Sequence, residues 1–393
     1  LVVDRNQFAV ADALALALDA GYRLHRALEL RVLATRHATD GRTENPEDEP
    51  GDGSSWNTAA QVRSALDLRG NVSLPRGAVL TIGGEREWQD EQTAIESISA
   101  FGTYTDESDE ARVNTGWYTQ LHGSLVSGVA VTLGGRIDDN EKFGTFRTGR
   151  AALSWQPAAQ VRIHAALGTA FKEPTFYEQF AQGFVQGNPS LEPERARSTE
   201  LGAMYSRRGV VISATAFDQR FRNLIQYTGS PAADAPNYSN IGAARARGAE
   251  LGASAVLGGV TARASYTWTD TRVTDAGFGE DNLFQQDERL LRRPVHQATL
   301  GMDALLGASL RGSVDVRAIG EREDLDFTTA WQGARTRLSP YALVDVGAAW
   351  SRGAHSITAR VRNVLDARYQ EIHNFAAAGR VLELGLRSAL DLR

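Results

Sequence analysis

Polar and apolar positions alternate with a period of two from one end of the chain to the other, and the alternating runs are long. In Leu310–Gly320, Leu310, Gly312, Val314, Val316 and Ala318 share one face, and Arg311, Ser313, Asp315 and Arg317 share the other. His355–Asn363 sets Ile357, Ala359 and Val361 against Thr358, Arg360 and Arg362. Val260–Asp270 sets Val260, Ala262, Ala264, Tyr266 and Trp268 against Thr261, Arg263, Ser265, Thr267 and Thr269. Successive side chains of an extended backbone point to opposite faces, so each run predicts an amphipathic strand. Such strands run to roughly 10–13 residues, about twice the usual length in globular proteins. At about 3.4 Å per residue and a tilt near 45°, 13 residues rise roughly 31 Å, about the depth of a bilayer core.

Strands in lipid must satisfy every backbone polar group, which requires closure into a barrel. A face carrying Arg311, Asp315 and Arg317 then lines a water-filled lumen while the apolar face meets lipid. A soluble sandwich or propeller, its polar face in bulk water, is the alternative, and strand length counts against it. Asp12 interrupts the face formed by Phe8, Val10, Leu14 and Leu16, which implies a bend or a different inward face there. Short connections are expected near Ala20-Gly21, Ser127-Gly128, Arg207-Arg208-Gly209, Gly258-Gly259 and Gly307-Ala308. Long ones are expected over Asp40–Trp56, Gln89–Arg112, Lys172–Arg197, Thr274–Leu291 and Glu321–Leu338. Short turns on one rim and long loops on the other are the pattern of an outer-membrane barrel, and roughly seventeen strands can be counted this way. The first, near Phe8, and the last, Val381–Leu390, both run toward the short-turn rim.

Composition narrows the picture further. No shift or Ser/Gly-rich linker divides the 393 residues, so residues 1–393 read as one domain. A hydrophobic content of 42% with 23% charge excludes a wholly disordered chain. No apolar run approaches the roughly 18 residues of a membrane helix, and the best candidate, Ala13–Leu18, stops at Asp19. The absence of cysteine excludes disulfides, thiolate nucleophiles and Cys-ligated zinc. A net charge of −6 argues against nucleic acid as the main partner.

One stretch is more specific than any of this: Phe171–Gly202, FKEPTFYEQFAQGFVQGNPSLEPERARSTELG. Its anchors are Phe171-Lys172-Glu173-Pro174, Gly187-Asn188-Pro189, Leu191-Glu192-Pro193-Glu194 and Ser198-Thr199-Glu200-Leu201-Gly202, and it holds Pro174, Pro189 and Pro193 of the chain's 11 prolines. Phe217–Tyr227, Tyr238-Ser239-Asn240-Ile241-Gly242 with Ala246–Leu251, Leu290–Pro294 and Tyr341–Asp345 follow in order. Val361–Asp366, Tyr369 and Gly379-Arg380 close the series. Together they resemble the barrel of TonB-dependent outer-membrane receptors, in detail over Phe171–Arg387 and more loosely over Leu1–Ser154. Receptors of this family have about 22 strands. The resemblance therefore implies an all-β, transmembrane antiparallel β-barrel, incomplete at about 17 of about 22 strands, with the plug domain outside this chain.

The residues of these phrases read as structural. Asn, Pro and Gly set loop turns, and Arg245, Arg247 and Glu250 are expected to pair within the lumen wall. The chain opens LVVDRN, without an initiator Met or signal-like segment, and is expected to be the C-terminal part of a longer receptor. It ends Ala389-Leu390-Asp391-Leu392-Arg393, where outer-membrane barrels usually finish on an aromatic.

Enzyme and metal chemistry find little support. The carboxylates Glu173, Glu178, Glu192 and Glu194 read as solvated loop acids, not a glycosidase pair. His25, His37, His122, His164, His296, His355 and His373 lack ligand spacing, and His164 is expected to face the lumen or pack. The Gly83-Gly84 and Gly134-Gly135 pairs lack a phosphate-loop lysine. The acidic segments Asp40–Asp52 and Asp106–Glu110 lack calcium-loop spacing. Tyr104, Phe278, Phe284, Phe327 and Trp331 are loop aromatics able to contact a bulky ligand, to form an interface girdle or to pack. No catalytic, cofactor or metal residue is assigned, and the ligand-binding residues are not legible.

The resemblance implies a monomeric receptor of the Gram-negative outer membrane that imports a bulky, scarce nutrient. Cobalamin is slightly favoured by Arg292-Arg293-Pro294 and the Asn363–Arg380 ending, with a ferric siderophore beside it. The implied partners are outer-membrane lipid and lipopolysaccharide, and the TonB complex through the N-terminal part. A passive porin-like channel or adhesin barrel, and a soluble carbohydrate-active protein, are the alternatives.

Overall fold

The computed structural model describes residues 6–48, 53–100, 102–182, 185–227, 235–277, 284–328 and 333–388. Contacts within the chain define two compact units. One holds the residues up to Leu153 together with Gly168–Arg195 and Asn223–Asn240. The other holds Ser154–Leu167, Ala196–Arg222 and the residues from Ile241 onward.

The first unit is built on β1 (Phe8–His25), β2 (Leu28–Asn45), β3 (Ser54–Ser73), β4 (Val79–Ser99), β5 (Gly102–Val126) and β6 (Val129–Asn140). It also takes most of β7 (Gly144–Ala158), the end of β8 (Val161–Lys172) and the short helix α1 (Phe176–Phe180). The second takes most of β9 (Glu194–Arg207), β10 (Val210–Tyr227) and β11 (Tyr238–Leu257). It continues through β12 (Val260–Asp275), β13 (His296–Leu305), β14 (Leu310–Ile319), β15 (Arg322–Asp326) and β16 (Ala334–Leu338). It ends with β17 (Tyr341–Arg352), β18 (His355–Arg362) and β19 (Val381–Ser388). Among the described residues seventeen strands are sheet strands, and within each unit they pair antiparallel. These are β1 through β6 in the first unit and β11 through β14, β17, β18 and β19 in the second. There β14 pairs with β17, and β15 and β16 form a separate hairpin.

The strand count therefore agrees with the roughly seventeen expected, but several boundaries move. Ala20-Gly21 is not a turn: β1 runs on, Gly21 pairs with Arg31, and the reversal comes at Arg26-Ala27. Gly21 gives room there, since a Cβ would lie 3.0 Å from Glu29 Oε1. Gln89–Arg112 is not a loop: β4 and β5 stay in register from Gln89↔Arg112 to Ser99↔Gly102. Polar strands above a membrane keep their ladder hydrogen bonds without an apolar face, so hydropathy does not mark them. At 25 residues β5 spans roughly 80 Å, well beyond any bilayer core. The expected loop Glu321–Leu338 likewise contains the β15–β16 hairpin. The turn at Arg208-Gly209, with φ of 50° and 79°, has the left-handed pair of a two-residue hairpin.

Burial is inverted relative to a soluble protein. Leu382, Leu384 and Leu386 alternate along β19 at 63%, 74% and 78% exposed. Leu300 and Met302 on β13, Ile212 on β10 and Leu14, Leu16 and Leu18 on β1 behave the same way. Contiguous apolar surface on this scale requires an apolar surrounding. The opposite faces carry Arg, Asp, Glu, Ser and Thr. No helix among the described residues is long and apolar enough to cross a membrane. The expected ending on Ala389–Arg393 lies outside the described residues, as do Phe278 and Trp331.

Candidate functional site

On the polar face of the first unit, charged side chains are joined across strands. Glu85 on β4, Gly116 on β5 and Asp138 on β6 lie in one cross-strand row. Arg136 reaches across that row, its Nε donating to Asp138 Oδ1 at 2.8 Å and its Nη2 to Glu85 Oε1 at 2.9 Å. Glycine is what lets it cross: a Cβ at Gly116 would collide with the Arg136 guanidinium and lie 2.7 Å from Asp138 Oδ1. Nearby, the Tyr118 hydroxyl donates to Asp67 at 2.5 Å, its ring lying over Gly83. Arg63 pairs with Glu87 at 2.6 Å.

The loop after β8 is fastened to this wall. Arg112 is buried; its Nε is 3.2 Å from Glu173, its Nη1 donates to the Pro174 carbonyl at 2.7 Å, and it lies 4.5 Å over the Phe176 ring. Asn140 donates to Glu173 at 2.7 Å. Burial pushes the Glu173 carboxyl above the ordinary carboxylate range, opposed by the Arg112 charge and the Asn140 hydrogen bond. Helix α1 starts with a capping box: Glu178 N donates to Thr175 Oγ1, and Thr175 N donates to Glu178 Oε2. The chain's lysines flank it, Lys142 5.0 Å from the Phe180 ring and Lys172 3.6 Å from Glu178.

Two sequence phrases about fifty residues apart then dock on each other. Gly187 lies against α1, where a Cβ would sit 2.5 Å from the Gln179 carbonyl carbon. Asn188 Nδ2 donates to the Tyr238 carbonyl at 2.9 Å, and Gln186 N donates to Asn237 Oδ1 at 2.7 Å. Asn240 receives Glu192 N at 2.9 Å and donates to the carbonyls of Glu192 and Asn223. Glu192 accepts from the Asn223 side chain at 2.6 Å and Glu194 from Ile225 N at 2.8 Å. Glu173, Glu178 and Glu194 are thus tied into the loop and largely shielded, contrary to expectation, whereas Glu192 is hydrogen-bonded but exposed as expected. Tyr177, Tyr238 and Tyr227 form an edge-to-face chain at 6.3 and 5.6 Å, with Tyr177 half exposed.

In the second unit the wall repeats the device in a more open form. Arg263 on β12 pairs with Asp303 at 2.6 Å and Asp315 at 3.5 Å, passing Gly301, where a Cβ would lie 2.8 Å from its Nε. Arg360 on β18 pairs with Asp345 at 2.9 Å and Asp315 at 3.8 Å, and Arg362 with Glu383 at 3.1 Å. The closing phrase is fixed to this ladder. Asn363 N donates to Asp345, its side chain exchanges two hydrogen bonds with Ala367, and Asp366 accepts from Arg380 N at 2.9 Å. Tyr369 and Tyr341 rings meet at 4.4 Å. On the loop side, fully buried Asp324 accepts from Arg292 Nε and from His373 N, each at 2.7 Å. Arg292 of the Leu290–Pro294 phrase, with φ of 57°, is thereby a loop anchor.

Several expectations change in this frame. Arg245 and Arg247 do bind carboxylates, but these are Asp218 and Asp270 and not Glu250. Residues directly opposite share a face, and Ala249↔Trp268 and Leu251↔Tyr266 put the odd positions of β11 on the apolar side. Arg245 and Arg247 therefore face outward beyond the apolar belt, with Glu250 on the other side. The His164 ring lies over Gly202, where a Cβ would meet both it and Thr215 Oγ1, and no group of three or more metal-ligating side chains occurs among the described residues. Phe284 is buried beneath Arg335, whereas Phe327 is 45% exposed. Tyr104 lies within β5.

The comparison that decides the family is the match of residues 4–364 to the TonB dependent receptor-like, beta-barrel family. The chain belongs to the TonB-dependent receptor family. That family is one of Gram-negative outer-membrane barrels, and its members are receptors and transporters, not enzymes. The Vitamin B12 transporter BtuB of Vibrio cholerae is 28% identical over 311 residues, 78% of this chain and 46% of that protein. The chain thus spans about half the length of such a relative. Among solved structures, the copper transporter OprC superposes with a TM-score of 0.78 at 14% identity, over 97% of this chain and 65% of that one. The siderophore receptor PiuA from Acinetobacter baumannii gives 0.76 at 15%, over 98% and 65%. At these identities the structural likenesses establish the fold.

Proposed function

We propose that the protein imports a bulky, scarce nutrient across the outer membrane of a Gram-negative bacterium, with cobalamin as the ligand. On this reading residues 1–393 are the C-terminal part of its barrel, and the TonB complex supplies energy through the N-terminal part. The protein catalyses no reaction; it binds and admits. The observation that carries the reading is the pairing of an exposed apolar face with a cross-braced polar face on the same strands. Such a wall borders water on one side and lipid on the other. The loop-side collar at Gly187–Glu194 and Asn237–Asn240 supports ligand capture by holding Tyr177, Tyr227 and Tyr238 together. Likeness to a vitamin B12 transporter favours cobalamin, and likeness to siderophore receptors keeps ferric siderophores as the alternative ligand.

Equilibrium binding to the protein purified from outer membranes tests this. The expected result is saturable cobalamin binding at or below about micromolar concentration, the range of a specific site, weakened by Tyr177→Ala. Absence of cobalamin binding with saturable ferric-siderophore binding would replace the ligand. Large conductance independent of TonB would replace the mechanism with a passive pore.

A further inference from the structure

The outward arginines of β10, β11 and β12 stand apart from the lumen ladder. On β12, Asp270, Arg272 and Thr274 continue the face of Tyr266 and Trp268 at two-residue steps. On β11, Arg247 and Arg245 continue the face of Leu251 and Ala249 and pair with Asp270 and Arg272 in register. On β10, Asp218, Arg220 and Arg222 continue the face of exposed Ile212. At about 3.4 Å per residue, Asp270 and Arg272 lie roughly 7 and 14 Å past Trp268 along the strand. This is the level of a lipid headgroup above an aromatic belt.

Arg245, Arg247, Asp270, Arg272, Thr274 and Asp287 line a depression of about 420 Å³. The acids hold the arginines without exhausting them. Arg247 meets Asp270 only at 3.4 Å, and Arg272 is 3.2 Å from the same carboxylate while donating to the Asp287 carbonyl at 3.0 Å. The Arg247 and Arg272 side chains remain 54% and 42% exposed. Each guanidinium offers five donors in a fork suited to phosphate oxygens, so donors remain for a ligand. Along the outward face of β10–β12, Arg220, Arg222, Arg245, Arg247 and Arg272 outnumber Asp218 and Asp270. An apolar belt running into an arginine pocket is the profile of an amphiphile with an acyl body and an anionic head.

We infer that this pocket binds a phosphate on the headgroup of a phosphorylated glycolipid in the outward-facing leaflet, with Arg247 and Arg272 as the principal contacts. The site fixes a boundary lipid against β10–β12 and sets the depth of these strands. The inference rests on the outer-membrane reading above.

The test uses the protein purified in detergent and titrated with bisphosphorylated lipid A, followed by native mass spectrometry. Wild type is expected to retain the lipid, and the Arg247→Gln/Arg272→Gln protein to bind it on the order of tenfold more weakly, the loss of one or two charge-assisted hydrogen bonds. Dephosphorylated lipid A should bind wild type as weakly as the bisphosphate binds the double variant, and Arg247→Lys/Arg272→Lys should recover part of the affinity. Heat-modifiable gel mobility checks that the variants are folded. Equal binding of phosphorylated and dephosphorylated lipid by wild type would overturn the inference without any variant. Displacement by millimolar inorganic phosphate alone would overturn the lipid assignment. A protein that fractionates away from membranes would fail the outer-membrane reading itself, whereas a membrane protein indifferent to the phosphates would fail only this site.

Discussion

Gly116 and Gly301 do the same work in the two units under different conditions. Each sits mid-sheet on the polar face and lets an arginine lie close against the backbone on its way to a carboxylate. In the first unit the crossing is the more enclosed: the Arg136, Glu85 and Asp138 side chains are 30%, 30% and 3% exposed, and the adjoining Arg112 and Glu173 side chains 8% and 12%. In the second the Arg263, Asp303 and Asp315 side chains are 52%, 24% and 40% exposed. The lesson concerns energetics: the same residue types at the same spacing are a critical brace where water is excluded and a weak one where it is not.

The comparison is most easily broken at the enclosed end. Arg112→Ala leaves Glu173 buried without its partner and should cost about 3–5 kcal/mol of loop docking. Limited proteolysis within residues 173–193 should rise sharply, and unchanged cleavage would remove the idea that Arg112 holds the loop. Gly116→Ala puts a methyl group where the Arg136 guanidinium crosses, and should cost about 1–3 kcal/mol, seen as a lower temperature of heat-modifiable unfolding. Gly301→Ala meets the movable Arg263 side chain and should cost under about 1 kcal/mol, as should Arg263→Gln at its exposed ion pair. Equal losses at Gly116 and Gly301 would contradict the difference drawn between the units.

Glu173 adds a pH dependence. Its folded carboxyl titrates above the ordinary value because burial disfavours the charge. A raised value means that protons bind the docked loop more tightly than the undocked one. This contribution is fully present below the ordinary carboxylate range and fades as pH rises through the raised value. Hydrogen exchange in residues 173–193, corrected for its intrinsic pH dependence, should show looser docking at pH 7.5 than at pH 5, and Glu173→Gln should flatten the profile. A flat wild-type profile would contradict this account of the pocket.

Much of the wall was legible in the sequence because alternation is the physical signature of a two-faced strand. The faces of Leu310–Gly320, Val260–Asp270 and His355–Arg362 appear as written, with Asp315, Arg263 and Arg360 meeting on the polar side. The phrases around Gly187-Asn188-Pro189 and Asn363 are legible as patterns, while their meaning lies in long-range partners such as Asn240 and Asp345 that spacing does not reveal. The upper halves of β4 and β5 escape because polar strands lack a hydropathy contrast. Arg245 and Arg247 invite a lumen assignment because they are charged, although their parity with Leu251 places them outward. Glycine crossings are invisible in one dimension: Gly116 and Gly301 differ from other strand glycines only in what passes over them.

The central claim is that adjacent residues on one strand face lipid and water respectively. This chain has no cysteine, so Leu300→Cys and Thr299→Cys can each be spin-labelled at one place on β13 in the reconstituted protein. The account predicts that the label at position 300 relaxes with membrane-dissolved oxygen and the label at 299 with a water-soluble nickel complex. Water accessibility at both positions, or the reverse assignment, would contradict it.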